Sequence, residues 1–280
     1  MPFRNIHAPA FYNVPLPATN KLAPPAPIGL DAIDVVLVSP RNPLNIGAVA
    51  RAMANFGFPY LTVVAPYDPH WREAQSAVGA EDLLQNAKVL STLPEALAQA
   101  TLVFGTGTLS PRKAEQPVIE LPALAPLVQD ELARAGRIAL VFGPEKHGLT
   151  RDDLALCHRL LTIPTDPRQP SMNLGQAVAV CLYELATRLA QPESHPSSPP
   201  ATTIAANPDL TATSAHLNLL AGVIEETMRA AGYSPRSMQA ANRHDLRLLL
   251  RRLAPNTKDT RRILGLFRRI LWRLSRPPAA

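Results

Sequence analysis

Six short apolar runs alternate with stretches of helical periodicity between residues 33 and 190, and this alternation limits the possible folds more than any other feature of the sequence. The runs are IDVVLV (33–38), YLTVVA (60–65), AKVL (87–90), TLVFG (101–105), RIALVF (137–142) and RLLTI (159–163). Helical spacing is found at 48–56, 93–100, 121–135 and about 173–190. Strands that alternate with helices in this way predict an α/β fold with a parallel sheet covered on both faces.

Composition divides the chain into four segments. Residues 1–30 are rich in Pro, Ala and Asn without a period, which predicts a disordered arm. Residues 31–190 form the predicted α/β domain, and 191–213 have the Pro-rich composition of a linker. Residues 214–280 are predicted to form a small helical extension. Its helical periods lie at 217–233, 245–253 and 259–274.

Positive charge is concentrated in the C-terminal segment. Residues 229–276 hold 13 Arg or Lys against Asp245 and Asp259, a net +11 in a chain whose total is +6. Such a block predicts a polyanionic partner, which would be RNA, DNA or an anionic membrane surface. The last helical stretch also has an apolar stripe, typical of a packing face, so a dimerisation or packing extension is the alternative. The stripe is Leu264, Phe267, Ile270, Leu271 and Leu274.

Several classes of protein are disfavoured. No apolar stretch approaches the roughly 18 residues of a membrane span, and the Pro-rich start has no apolar core for a signal peptide. Cys157 and Cys181 form no C-x-x-C motif and no histidines cluster, which argues against a disulfide scaffold or a zinc site. We therefore predict a cytoplasmic protein that binds neither a membrane nor a metal.

Two glycine-containing loops resemble nucleotide-binding motifs but depart from them. VFGPEKHGLT (141–150) has the glycine spacing of a phosphate-binding loop, yet Leu149 occupies the position of the required lysine. FGTGTLSPR (104–112) begins like a dinucleotide fingerprint, but Ser110 replaces its third glycine. A nucleotide hydrolase and a nicotinamide enzyme are both disfavoured.

Two further loops join predicted strands to helices, where ligands gather in a parallel sheet. In SPRNPLNIGAVARAMANFG (39–57), Asn45 is predicted to cap the helix, Gly47 to allow close backbone approach, and Arg51 to project one turn further along. In IPTDPRQPSMNLGQA (163–177), prolines stiffen a loop in which Ser171 or Asn173 is predicted to cap the next helix.

Taken in order, NPLNIGAVAR (42–51), FGPEKHGL (142–149) and IPTDPRQPSMNLGQAVA (163–179) resemble the three motifs of the SPOUT (SpoU–TrmD) RNA methyltransferases, on the SpoU side. The resemblance covers about residues 33–190. It implies an α/β fold with a C-terminal trefoil knot, a homodimer whose active site is shared between protomers, and S-adenosylmethionine as methyl donor without a metal. LLAGVIEETMRAAGY (219–233) and DLRLLLRRLAPNTKDTRRILGLFRRIL (245–271) resemble the helical extension of TrmJ-type enzymes, which methylate the 2′-hydroxyl of tRNA nucleotide 32.

The resemblance also implies roles for individual residues. Arg51 and Asn45 would be catalytic, assisted by Ser171 and Asn173, with Arg51 serving the partner's cofactor as a base or as a phosphate clamp. Gly47, Glu145 and Gly148 would be structural, Glu145 by bracing loop amides. The cofactor pocket would comprise Thr106, Gly107, Thr108, Gly143, Ile163, Pro170, Ser171 and Met172. The tRNA would be held by Arg243, Arg247, Arg251, Arg252, Arg261, Arg262, Arg268 and Arg269.

Two alternatives stay open from the sequence. A SpoU-type enzyme with these motifs could act on ribosomal RNA or on another tRNA position. A protein of the same fold could also bind RNA without catalysis, although the joint presence of Asn45, Arg51, Ser171 and Asn173 disfavours this.

Overall fold

The structure is a computed structural model that describes residues 29–107, 114–190 and 210–275. The predicted N-terminal arm, Thr108 and most of the predicted linker lie outside the described residues.

The described chain contains one sheet of seven strands, and every pair of neighbouring strands is parallel. The strands are β1 (Ile33–Val38), β2 (Tyr60–Val64), β3 (Lys88–Leu90), β4 (Leu102–Thr106), β5 (Val118–Glu120), β6 (Ile138–Phe142) and β7 (Arg159–Thr162). Their order across the sheet is β3-β2-β1-β6-β4-β7-β5. The predicted parallel α/β fold is confirmed. β5 was not predicted, because this edge strand has only three residues and no apolar run.

Helices cover both faces of the sheet. They are α1 (Pro43–Phe56), α2 (Glu81–Asn86), α3 (Leu93–Ala96), α4 (Leu124–Ala133), α5 (Arg151–Leu154), α6 (Leu174–Leu189), α7 (Ser214–Ala230), α8 (Gln239–Leu253) and α9 (Thr257–Leu274). Alternate residues of β1 belong to two separate core clusters, as expected because successive side chains of a strand point to opposite faces. The larger cluster includes residues of α1, α4 and α6, and the smaller one includes Leu93 and Leu97.

The start of α1 differs from the prediction. Asn42 is the cap, because its Oδ1 accepts a hydrogen bond from the Leu44 N–H at 3.0 Å, and Pro43 begins the helix. Pro suits this first position because it has no N–H to satisfy. Asn45, the predicted cap, lies inside the first turn, so its side chain is available for contacts with other loops.

α7, α8 and α9 share a small core of their own, and they also contact the α/β part of the chain. Leu264 and Phe267 of α9 pack against this core, whereas Ile270 and Leu274 are 38% and 43% exposed. The first half of the predicted apolar stripe is therefore half-buried against this core, whereas Ile270 and Leu274 in its second half are exposed. The Ser214 N–H donates to the Ala100 carbonyl at 2.8 Å, which ties the start of α7 to the α/β part.

His158 makes stability depend on pH. It is 6% exposed, and its Nδ1 accepts a hydrogen bond from the Val103 N–H at 3.1 Å. Burial lowers the pKa of His158 from 6.5 to about 3, and Arg251 and Arg159 add to this. Below about pH 6.5 the unfolded chain therefore binds a proton that the folded chain does not.

We expect the free energy of unfolding to fall as the pH decreases from about 6.5 toward 3. His158 alone should account for about 2 kcal/mol of the loss by pH 5. Urea unfolding at pH 7 and pH 5 measures this loss, and His158→Gln should reduce it while His70→Gln, at an exposed position, should not. An unchanged difference between the two pH values in His158→Gln would contradict the assignment.

Candidate active site at the carboxyl ends of the strands

The three motifs lie on loops that follow β1, β6 and β7. Because all strands are parallel, these loops leave the sheet at the same edge. β1 and β6 are direct neighbours, with Leu37 opposite Phe142 at their carboxyl ends. The loop after β1 leads into α1, and the loop after β7 leads into α6.

Glu145 joins the second motif to the first. Its Oε2 accepts the Arg41 N–H, and its Oε1 accepts the Asn42 N–H, both at 3.1 Å. Oε1 also accepts the side-chain amide of Asn45 at 2.9 Å. Glu145 thus holds two backbone amides of the loop after β1. Partial burial raises the pKa of Glu145, yet these hydrogen bonds outweigh it and hold the pKa below its ordinary value.

Asn173 continues the network into the third motif. Its Nδ2 donates to the Asn45 Oδ1 at 2.9 Å, while its own Oδ1 accepts the Gly175 N–H at 2.9 Å and caps α6. Ser171 and Asn173 were the two caps predicted for this helix, and Asn173 is confirmed as the cap. The side-chain amide groups of Asn45 and Asn173 are thus both hydrogen-bonded within the protein, and the catalytic role predicted for these two residues stays a prediction. We call the chain Glu145–Asn45–Asn173 the motif bridge.

The motif glycines serve backbone packing. A Cβ on Gly143 would lie 2.3 Å from the carbonyl carbon of Gly148 and from the Leu149 nitrogen, so only glycine lets the loop fold back on itself. This self-contact explains Gly143 without the cofactor approach predicted for it. Gly148 has φ +65°, a left-handed conformation that favours glycine. The close approach predicted at Gly47 is present, since a Cβ there would lie 2.2 Å from the Ser76 Oγ.

Arg51 and Ser171 are free to act on a ligand. Both are exposed, and neither side chain forms a hydrogen bond or ion pair with the residues that the structure describes. Arg51 projects from α1 two turns after Asn45, and Ser171 precedes Asn173 in the loop that enters α6. The motif bridge therefore holds the backbones on which these two side chains stand.

Two of the residues predicted to hold the cofactor, Thr106 and Gly107, lie at the end of β4. The Thr106 hydroxyl donates to the Val141 carbonyl at 3.0 Å, and the Gly107 N–H donates to the Leu161 carbonyl at 3.2 Å. The Thr106 hydroxyl and the Gly107 N–H are thus both hydrogen-bonded to neighbouring strands. Ile163 and Met172 are half-buried apolar side chains on the loop after β7, and a Cβ on Gly107 would meet nothing closer than 3.6 Å. Apolar walls beside open backbone fit a flat heterocycle with a sulfonium side chain.

A second hydrogen-bonded network, around Glu115, was not predicted from the sequence. Glu115 accepts hydrogen bonds from the Arg151 Nε at 2.9 Å and Nη2 at 2.5 Å, and pairs with the His244 Nε2 at 2.9 Å. The bond from Arg151 is the main reason that the pKa of Glu115 falls to about 2. This cluster ties α8 to the segment before β5 and to the start of α5. No local pattern marks it, because its members lie far apart along the chain.

Arg251 was predicted to bind RNA, and this prediction is wrong. The residue is 4% exposed, and its guanidinium donates to the Leu156 carbonyl and to the Asn218 Oδ1, each at 3.0 Å. Burial lowers the pKa of Arg251 to about 10. Arg247 is half-buried, and Arg243 pairs with Glu225 at 2.6 Å. The remaining five predicted arginines are exposed: Arg252, Arg261, Arg262, Arg268 and Arg269.

The described residues contain neither a helix that could cross a membrane nor a cluster of metal-binding side chains. Across 29–107, 114–190 and 210–275, no helix is long and apolar enough to cross a membrane. In the same ranges, no three His, Cys, Asp or Glu side chains are grouped so that they could hold a metal ion.

Comparison with known proteins shows extensive similarity. Residues 32–183 match the SpoU rRNA Methylase family. The chain is 41% identical to TrmJ of Pseudomonas aeruginosa, a tRNA (cytidine/uridine/adenosine-2'-O-)-methyltransferase, over 56% of this chain and 61% of that protein. It thus spans less than two thirds of that relative. It is 32% identical to the tRNA (cytidine/uridine-2'-O-)-methyltransferase TrmJ of Pectobacterium atrosepticum, over 85% of this chain and 95% of that protein.

A solved structure agrees with these matches. The crystal structure of TrmJ from Z. mobilis ZM4 superposes with a TM-score of 0.72 at 30% identity, and covers 85% of this chain and 98% of that one. Because the family match includes more than half of the chain and carries all three motifs, the chain belongs to the SpoU rRNA methylase family.

Proposed function

We propose that this chain transfers a methyl group from S-adenosylmethionine to the 2′-hydroxyl of a tRNA nucleotide, at position 32 of the anticodon loop. The observation that carries the proposal is the motif bridge, which joins all three family motifs and leaves Arg51 and Ser171 exposed beside it. The similarity to two TrmJ proteins over 85% of the chain supports tRNA as the substrate.

The residues divide the chemistry between binding and alignment. When bound, S-adenosylmethionine supplies an electrophilic methyl group, so the protein must mainly align it with the ribose oxygen. Gly107, Ile163 and Met172 would hold the cofactor through open backbone and apolar contacts. Arg51 would clamp the phosphate next to the target ribose and stabilise the ribose alkoxide, while the 2′-hydroxyl proton passes to solvent water, since a guanidinium keeps its own proton and is a poor base. Ser171 would hydrogen-bond the reacting nucleotide.

We also propose a homodimer in which Arg51 of one protomer serves the cofactor site of its partner. Exposed apolar residues on α1 and α6 support this, because Leu44 and Tyr183 are each 55% exposed and Val180 is 36% exposed. α1 and α6 pack against each other, so a second copy could cover both helices together. The trefoil knot implied by the family is part of the proposal. Its support is the sheet order, in which β7 inserts between the earlier strands β4 and β5.

These assignments give each segment of the chain a role. Residues 31–190 would be the catalytic domain, 191–213 a linker and 214–280 the tRNA-binding extension, in a cytoplasmic enzyme. The exposed arginines of α8 and α9 would position tRNA through its phosphates rather than read its bases.

The double variant Arg261→Gln/Arg268→Gln tests the tRNA-binding extension. The two residues lie seven apart on α9 and so share one face of the helix. We expect an affinity for tRNA about 10-fold weaker, with the salt slope of log K reduced by about 2. Filter binding at several salt concentrations measures both. Lys88→Gln/Arg134→Gln removes two exposed charges elsewhere and should change neither, whereas equal effects of the two doubles would rule out a specific surface.

Methylation itself is tested with nucleoside mass spectrometry. Purified protein, S-adenosylmethionine and unmodified tRNA should yield 2′-O-methylcytidine or 2′-O-methyluridine, and digestion should place it in the anticodon loop. A strain without the protein should lack the same nucleoside. If methylation appears only in ribosomal RNA or at another tRNA position, the position-32 assignment fails. If no RNA is methylated, the catalytic assignment fails and the non-catalytic RNA-binding alternative stands.

A further inference from the structure

An exposed aromatic side chain and a cation meet at the carboxyl edge of the sheet, next to the motif bridge. Tyr67 follows β2 and is 75% exposed, the largest exposed fraction of any aromatic residue that the structure describes. The guanidinium carbon of Arg41 lies 5.5 Å from the centroid of the Tyr67 ring. The side chains of Arg41 and Tyr67 take no part in the hydrogen bonds of the motif bridge, so both side chains are available to a ligand.

The backbone fixes this pair with respect to the active site. The Tyr67 N–H donates to the Pro40 carbonyl at 3.1 Å, and the adjacent Arg41 N–H donates to Glu145 at 3.1 Å. Glu145 in turn binds the Asn45 amide at 2.9 Å. Tyr67 is therefore connected to the motif bridge through one residue of loop, and its position is preorganised with that of Asn45.

The two loops that carry the pair adopt an unusual backbone. Ser39 and Ala65, which directly follow β1 and β2, have φ values of +45° and +44°. Residues other than glycine rarely adopt this left-handed conformation, and such strain tends to be kept at functional sites. Hydrogen bonds to neighbouring strands hold it here, from the Ser39 N–H to Val64 at 2.8 Å and from the Ala65 N–H to Leu90 at 2.9 Å.

We propose that Arg41 and Tyr67 form a nucleotide-binding subsite for an RNA residue that flanks the methylated one. The flanking base stacks on the Tyr67 ring, and the Arg41 guanidinium binds the adjoining phosphate. Sequence-specific RNA recognition uses single-stranded bases splayed onto aromatic side chains and arginine, which is the chemistry that this pair offers. The inference rests on the proposed RNA methylation, because it places the subsite beside the same reaction centre.

The chain provides a matched control for the pair. The Lys88 Nζ lies 6.0 Å from the ring centroid of Tyr60, which is 42% exposed. Tyr60 begins β2, so this second pair stands at the opposite, amino edge of the sheet. It has the same cation–aromatic chemistry but lies a strand length away from the motif bridge.

Steady-state methylation of an unmodified anticodon stem-loop RNA tests the subsite. Tyr67→Leu and Arg41→Gln should each raise KM for this RNA by about 10-fold, with kcat and the Kd of S-adenosylmethionine within about 2-fold of the original protein. Tyr67→Trp should keep KM close to that of the original protein, because tryptophan keeps a stacking surface. Tyr60→Leu should also leave KM unchanged. An unchanged KM in Tyr67→Leu, or an equal rise in Tyr60→Leu, overturns the subsite.

Two readouts separate this inference from the proposed function and from a role in assembly. The chain already contains Trp71 and Trp272, so quenching by the same RNA that is larger in Tyr67→Trp than in the original protein reports stacking at position 67, even if no methylation is detected. If quenching occurs without methylation, the catalytic proposal fails and the subsite stands. Sedimentation of Tyr67→Leu should give the same mass as the original protein. A lower mass would assign Tyr67 to contacts between copies of the chain and overturn the subsite.

Discussion

Arg51→Lys is expected to lower kcat for RNA methylation by about 100-fold or more while the Kd of S-adenosylmethionine stays unchanged. Arg51 is exposed and has no partner among the described residues, so its guanidinium is available for a phosphate and a reacting oxygen together. Lysine keeps the charge but lacks the planar fork that binds two oxygens at once. The substitution therefore keeps the electrostatic attraction to the phosphate but loses the alignment of the ribose oxygen with the methyl group. Most of the rate acceleration must come from that alignment.

Single-turnover methylation with saturating RNA measures this loss, and calorimetry measures cofactor binding. Arg134→Lys is the matched control, since Arg134 is exposed at the end of α4 and precedes β6, at the amino edge of the sheet opposite to the motif loops. The control should keep its turnover. Turnover of Arg51→Lys close to that of the original protein would exclude both proposed roles of Arg51, because neither a clamp nor a base there would survive the replacement.

Glu145→Gln is the second large effect that we expect. The carboxylate accepts two hydrogen bonds from the loop after β1 and one from Asn45 in the first turn of α1. A carboxamide replaces one acceptor oxygen by an N–H₂ group, which then faces backbone or side-chain donors. The loop that supports Asn45 should shift, and kcat should fall by about 10-fold to 100-fold, since small displacements of aligned groups are costly. The free energy of unfolding should decrease by about 2 kcal/mol.

Kinetics and urea unfolding of Glu145→Gln separate the two consequences. Because hydrogen bonds hold the pKa of Glu145 below its ordinary value, this stabilisation is present at neutral pH and is lost as the pH falls through the pKa of the folded state. The difference in stability between the variant and the original protein should therefore shrink in acid. Glu226→Gln, at an exposed position on α7, should change neither quantity. Unaltered kcat in Glu145→Gln would show that the motif bridge does not position the active site.

The sequence predicted the elements whose signal is local. The β-branched runs of β1, β2 and β6 and the helical periods of α6 and α7 to α9 were identified because side-chain periodicity reflects burial within a single element. Weak or ambiguous local signals led to errors. β5 has only three residues, and both Asn42 and Asn45 have the side chain that a helix cap requires. The extended backbone of Asn42 and the hydrogen bond that its side chain accepts from the Leu44 N–H identify it as the cap.

Arg251 shows why the arginine-rich helices could not be resolved from sequence. It lies in an arginine-rich helix, yet its guanidinium is buried and donates to the Leu156 carbonyl and the Asn218 Oδ1. Whether an arginine meets water or a carbonyl depends on how α8 rotates against the α/β part, and the local residues do not encode that rotation. The Glu115–His244 contact has the same origin, since it joins positions 129 residues apart.

The sequence by itself determined the parallel α/β class, the three motifs and their placement at one edge of the sheet. These follow from periodicity and from the rule that parallel strands share a carboxyl edge. Tertiary structure alone decided that Glu145 binds the loop after β1 and that Arg251 is structural. It also decided that Asn45 connects motifs instead of capping α1, and that Asn173 binds Asn45 in addition to capping α6. The physical reason is that these contacts join residues far apart along the chain. A hydrogen bond across 100 residues forms only where strand register and helix packing bring two atoms within about 3 Å.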